Sequence, residues 1–187
     1  MLDVQEKSCC NYWYNKKARM RKLFLVLFFL LLPNVVSAAC DDPLTDGVDY
    51  TNCRFSDGQD LQGSYLPNSN LTFASFIQVN FDKSIMMNSI LAYGTFPEST
   101  FIRANLYESN LQGANFEKTD FTNANLTRVN FTGATLIEAN FKNTNLMEAN
   151  FTSSNMINAS FEGANLIGAT WTNGETCGPD SIGACNK

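Results

Sequence analysis

From Leu61 to Trp171 a large apolar residue stands at every fifth position without a gap: Leu61, Leu66, Leu71, Phe76, Phe81, Met86, Leu91, Phe96, Phe101 and onward. Two residues before each stands a mostly small one, such as Ser64, Ser69, Ala74, Ala104, Ala114 and Ala124. One before each is often Asn or Asp. A period of five fits neither the 3.6 of a helical face nor the 2 of a strand, and a fixed short repeat is the mark of a solenoid. The large and the small residue, two apart as in a strand, point inward; the other three positions form a corner and face water. Four such sides return the chain to its starting edge, so one coil takes about 20 residues and coils stack about 4.8 Å apart through parallel backbone hydrogen bonds. Asn suits the corners because it tolerates unusual backbone angles and bonds to nearby backbone.

Residues twenty apart then share a wall. One wall stacks Leu61, Phe81, Phe101, Phe121, Phe141 and Phe161; the next Leu66, Met86, Leu106, Leu126, Leu146 and Leu166; the third Leu71, Leu91, Leu111, Phe131, Phe151 and Trp171; the fourth Phe76, Phe96, Phe116, Leu136 and Met156. Like stacks on like, so burial and ring contacts supply much of the expected stability. Val48/Tyr50 and Cys53/Phe55 fit the small/large pattern, but Phe55 to Leu61 is one residue too long, which predicts a bulged corner near Asp57-Gly58. The least regular stretch is 84–100, where Ile85 and Ile90 replace the corner Asn and Pro97 removes a ladder donor; a kinked or locally exposed segment is expected there.

The triplets Ala104-Asn105-Leu106, Ala114-Asn115-Phe116, Ala124-Asn125-Leu126 and Ala164-Asn165-Leu166 carry an A(D/N)LXX motif, and on them the chain resembles the pentapeptide-repeat family, strictly over 59–173 and loosely over 48–173. The resemblance implies an all-β fold, a right-handed quadrilateral β-helix of about six coils and roughly 30 Å in length at the strand spacing. The tail WTNGETCGPDSIGACNK resembles the end of exported bacterial members, with Trp171 plugging the last coil and a Gly-rich cap folded over it. The expected organisation is an N-terminal extension and signal peptide at 1–39, an N-terminal cap with the first irregular repeats at 40–58, the solenoid at 59–173 and a C-terminal cap at 174–187.

The leader follows from its own pattern. Arg21-Lys22, the apolar run LFLVLFFLLL at 23–32 and the small residues Val36-Ser37-Ala38 read as a secretory signal cleaved after Ala38 or Ala39. The apolar run is short for a bilayer span, so no stable membrane span is expected after processing. Met20 begins a signal of ordinary length, and Cys9-Cys10 then needs no role. A competing reading is a lipoprotein site at Ser37-Ala38-Ala39-Cys40, with a lipid anchor at Cys40, although Ser37 stands where such sites prefer Leu. The chain is therefore expected in the periplasm or secreted, with a lipoprotein or a thylakoid-lumen location as alternatives.

The charge is unevenly distributed along the chain. Net charge is −5, but residues 1–39 carry +4 and residues 40–187 carry −9. Such an acidic body opposes phosphate binding, so no nucleic-acid partner is expected. Histidine is absent, which removes the commonest neutral-pH base and metal ligand. There is no phosphate loop, HExxH or GxSxG. Glu138 and Glu148 could be imagined as acid and base, but on a convex rod neither gains a water-excluding site. No enzyme activity and no cofactor are expected.

Four cysteines follow the leader. Export favours disulfides, and sequence proximity favours Cys40–Cys53 and Cys177–Cys185 among the three pairings, each tying one end of the solenoid. Metal binding is disfavoured by the C-x7-C spacing and the missing histidine.

The outward residue after each central one is greasier on two opposite walls. Met87, Tyr107, Met147 and Ile167 lie on one, Ile77, Ile137 and Ile157 on the other, and together they are the candidate contact surface. The bland account is that β-branched residues favour strands. The expected role is a non-enzymatic structural or protein-interaction scaffold of the bacterial envelope or exterior, with an unidentified protein partner or a homodimer. The resemblance adds an alternative, because some family members mimic DNA and bind DNA gyrase; here Lys83, Arg103, Arg128 and Lys142 interrupt the acids. A third class is surface or carbohydrate binding, through a Thr column at 72, 132, 152 and 172 that Ala92 and Gln112 interrupt.

Overall fold

The computed structural model describes residue 40 and residues 44–187. The expectations for the leader, its cleavage and Cys9-Cys10 lie outside them.

Each five-residue unit is built by an accounting of its five backbone N–H groups. Around Phe101, the N–H of Ala104 returns to the Phe101 carbonyl at 3.0 Å and closes a tight turn. The N–H groups of Phe101 and Arg103 reach the next coil at Asp120 and Thr122 (2.7 and 3.0 Å), while that of Asn105 reaches back to Ser84 (2.9 Å). The fifth N–H, on the residue after the central one, is taken by the side chain of the preceding Asn or Asp: Thr122 to Asp120 Oδ1 at 2.8 Å, Thr132 to Asn130 Oδ1 at 3.0 Å. The amide thus acts as a turn acceptor. It does not supply the unusual backbone angle. The left-handed residue is the second after the central one, with φ of 58° at Lys83, 59° at Arg103, 57° at Glu138 and 66° at Gly133.

Parallel bridges link residues twenty apart from Asp60–Asn80 through Asn150–Thr170. The first two pairs, Asp49–Asn70 and Arg54–Ser75, are twenty-one apart. The extra residue lies at the expected corner: Phe55 and Gly58 donate to Ser75 and Ile77, so a three-residue step faces a two-residue one. The expected kink at 84–100 is absent, for bridges continue in register through Ile85–Asn105, Ile90–Asn110, Thr95–Asn115 and Thr100–Asp120. Pro97 is harmless because it stands directly after the central residue, where the N–H makes no backbone hydrogen bond in either the inter-coil ladder or the turn, and its carbonyl still accepts from Gln78 at 3.0 Å. The result is a β-helix-type solenoid.

The interior is filled by rings. Phe81, Phe101, Phe121, Phe141 and Phe161 stack with centroids 4.9, 5.2, 5.2 and 5.0 Å apart. Phe55, Phe76, Phe96 and Phe116 form a second ladder at 4.2, 5.3 and 4.9 Å, which the bulge brings into register. Edge-on contacts such as Phe116–Phe121 at 5.4 Å tie the ladders together. Buried hydroxyls at the small position return to carbonyls of the preceding coil, as Ser109 does to Met86 at 2.6 Å and Thr144 to Phe121 at 2.7 Å.

Cys40 is bonded to Cys53, which is buried in the first coil, and Cys177 to Cys185. The C-terminal segment pairs antiparallel with the last coil, Asn165 with Ile182 and Thr170 with Thr176. This covers the edge over 164–171, where Leu166 donates to Ser181 and Gly168 to Cys177. Trp171 is half-buried beneath it, against Phe151 and Phe161 at 5.7 and 5.3 Å.

Candidate interaction surface

The surface has three kinds of position: the middle of each side and the two residues of each corner. The mid-side position is mostly Asn, and these amides form ladders between coils, Asn125 Nδ2 to Asn105 Oδ1 at 3.1 Å and Asn130 Nδ2 to Asn110 Oδ1 at 3.2 Å. Three of the four threonines of the hydroxyl column are committed locally. Thr72, Thr132 and Thr152 each donate to the Asn two residues earlier at 2.6 Å. Most of this polarity serves the repeat itself.

Of the candidate contact residues, Met87, Tyr107, Met147, Ile167, Ile77 and Ile137 are half-buried and only Ile157 is exposed. The first corner position lies against the coil, so greasiness there is partly ordinary packing. The exposed large apolar residues lie elsewhere: Tyr65, Phe73, Ile90 and Tyr93 in the early coils, Ile157 and Ile182 near the far end. Phe73 and Tyr93 stack, with centroids 5.4 Å apart and planes 18° apart. The segment expected to be locally exposed, 84–100, contains Ile90 and Tyr93, whereas Tyr65 and Phe73 lie outside it. The available signal was an aromatic residue at a mid-side or second-corner position, where this repeat places polar residues or glycine.

The charged groups form a separate cluster further along. Arg128 stands between two acids, Nη1 at 3.1 Å from Glu108 and Nε at 2.8 Å from Glu148. Tyr107 donates its hydroxyl to Glu108 at 2.7 Å. These two donors, Tyr107 first and Arg128 second, hold the Glu108 carboxyl below the usual carboxylate range. Arg128 breaks the line of acids on this corner, and Lys142, paired with Glu162 at 2.8 Å, breaks another. No cluster of three or more metal-ligating side chains occurs among the described residues, nor any helix long and apolar enough to cross a membrane.

A filled β-solenoid with its polar groups spent on its own turns defines a class of non-catalytic repeat scaffolds. The pentapeptide-repeat pattern matches the chain in eight copies, over residues 58–91, 99–136, 124–163 and 144–173, and the protein belongs to that family. Among solved structures, it is similar to the plasmid-mediated fluoroquinolone resistance protein QnrB1, at 22% identity and a TM-score of 0.54, over 66% of this chain and 63% of that one. A pentapeptide repeat protein from the Arabidopsis thaliana thylakoid lumen aligns at 28% identity and a TM-score of 0.42, over 63% of this chain and 68% of that one. Rfr23 from the cyanobacterium Cyanothece 51142 aligns at 21% and 0.38, over 67% and 89%. The chain thus spans less than two thirds of QnrB1 in that alignment. No curated protein matches it.

Proposed function

We propose that this protein is a non-enzymatic structural or protein-interaction scaffold of the bacterial envelope or exterior. Its body is a right-handed, four-sided solenoid of about six coils at the strand spacing, flanked by a removed leader at 1–39, an N-terminal cap at 40–58 and a C-terminal cap at 174–187. One observation carries the reading: Phe76, Phe81, Phe96, Phe101, Phe116 and Phe121 fill the axis at 0% exposure, so the outer faces are what remains to act. The export pattern and the pairing of Cys40 with Cys53 and of Cys177 with Cys185 favour an oxidising compartment. Periplasm or secretion is the proposed location; a lipid anchor at Cys40 would compete with its disulfide. Met87, Tyr107, Met147, Ile167, Ile77, Ile137 and Ile157 remain candidate contacts, for a partner or for a second copy.

The test is the intact mass of the protein from its native host, with and without reduction. A chain starting at Ala39 or Cys40 that gains the mass of four hydrogens on reduction supports export and two disulfides. A chain retaining its leader, with free thiols, refutes it. The second reading, DNA mimicry toward gyrase, is favoured by the −9 charge of residues 40–187 and opposed by the leader. Protection of gyrase supercoiling from a fluoroquinolone by the purified protein would establish it, and no protection at micromolar protein would remove it.

A further inference from the structure

The outer surface of the early coils departs from the rest of the repeat in one place. Residues 64–73 and 84–93, which make two adjacent sides and their corners in successive coils, contain no Asp, Glu, Lys or Arg. The same stretch of the next three coils does, with Glu108, Arg128 and Glu148; the last, 164–173, is also uncharged, but the C-terminal segment pairs along it. In place of charge this face shows Tyr65, Phe73, Tyr93 and Ile90, at 53, 55, 50 and 42% exposure. Ile85 and Ile90 occupy mid-side positions that elsewhere carry the Asn ladder, and so forgo the acceptor that closes the corner. Phe73 and Tyr93 hold left-handed φ of 58° and 57°, where the next two coils use Gly113 and Gly133. A side chain in that region costs about 1–2 kcal/mol, and a bulky ring has the least reason to be there.

The rings are also held in place. Tyr93 leans across Gly113, where a Cβ would lie 2.6 Å from the ring, and its hydroxyl accepts from Gln112 Nε2 at 3.3 Å. Beyond it, a Cβ on Gly133 would meet nothing within 4 Å. The short aromatic ladder therefore ends on an open step, bounded by the Tyr93 ring and floored by glycine.

We propose that this face docks a short, uncharged segment of a partner protein, whose aromatic side chain stacks on Tyr93 above Gly133; this deepens the scaffold reading and rests on it. The composition selects the occupant. Aromatic residues, Met and Ile without charge are what the buried centre of a protein interface contains. A nucleic acid or an anionic membrane would need cations, which the face lacks. A sugar would use the exposed amides of Asn68 and Asn88, but the apolar Met87 and Ile90 beside them favour a peptide, and the test separates the two. From Phe73 to Gly133 the site spans four coils, about 15–20 Å tall, still too small for the roughly 800 Å² per partner of a stable globular interface, so a short segment fits and a second copy does not. Rings fixed before binding lose little freedom on it.

The experiment pans a phage-displayed library of short random peptides on the intact oxidised protein, then measures Kd for the selected peptides by calorimetry. Tyr93→Ser places the residue used at 153 in the same column, and Gly133→Gln fills the step with a residue that position tolerates at Gln78. Uncharged aromatic peptides whose Kd rises about tenfold or more in both variants, with unchanged circular dichroism, are expected. Peptides that are charged, that bind both variants as well as the parent, or that never enrich would overturn the site. So would tight binding of chitooligosaccharides or anionic vesicles that Tyr93→Ser abolishes. Peptides lost instead on Ile137→Ser would overturn this site and leave the scaffold reading standing. The selection uses purified protein, so failure of the export reading does not bear on it.

Discussion

Phe121 is the residue through which the core is best tested. It is fully buried and stacks on Phe101 and Phe141, both at 5.2 Å, with edge contacts to Phe116 and Phe131 at 5.4 and 6.1 Å. Phe121→Ala removes a buried ring from a site that cannot collapse, because the backbone ladder fixes the coil spacing; the usual cost is about 3–5 kcal/mol. Each ring pair adds about 0.5–1.5 kcal/mol beyond burial, so the upper end, about 5 kcal/mol, is expected. Phe121→Leu keeps most of the volume and loses the four ring contacts, and should cost about 2–3 kcal/mol. Phe161→Ala, in the half-buried last ring of the ladder, should cost distinctly less than Phe121→Ala, since each repeat answers mainly to its neighbours. The assay is urea unfolding of the oxidised protein, followed by circular dichroism and Tyr/Trp fluorescence, with coincident transitions required. A cost below about 0.5 kcal/mol for Phe121→Leu would refute the ring term. Equal costs at 121 and 161 would refute the dependence on depth.

Three further outcomes follow from the same geometry. Replacing Cys177 and Cys185 by Ser opens a loop of separation 8, worth about 2.5 kcal/mol by chain entropy; hydrogen exchange should accelerate at Leu166 and Gly168, whose N–H groups the cap accepts, and not at Phe101. Glu108 should titrate below an ordinary glutamate by NMR, and Arg128→Gln should move it back upward; because its folded pKa is depressed, its contribution to stability is present above the unfolded value and is lost as pH falls through the folded one. Arg103→Gly, at φ 59° with the side chain exposed, should raise stability by about 0.5 kcal/mol in thermal unfolding, since relief of left-handed strain outweighs the added freedom of the unfolded chain.

The angle at each corner is what the sequence hides. Asn in the position before the central residue stands out in the sequence, and it invites the idea that Asn turns the corner. The turn is made three residues later, by Lys83, Arg103, Glu108 or Glu138 as readily as by Gly133. Those side chains carry no common sequence mark, because the inter-coil hydrogen bonds impose the conformation whatever the residue. Pro97 misleads for a related reason: its cost depends on whether its N–H belongs to the ladder, and that is a property of the paired coils.

The periodicity, the inward pair and the ring ladders were legible in the chain alone. A five-residue repeat whose large residues all need burial has one consistent way to bury them, and the extra residue between Phe55 and Leu61 has to be absorbed at a corner where Gly58 permits it. Which outward residues are free depends on how the coils lie against one another. Met87 and Ile137 are half-covered where the corner turns back against the coil, while Phe73 and Tyr93, one position further, project from it. Exposure at a corner depends on how one coil lies over the next, and a one-dimensional pattern does not contain that distance.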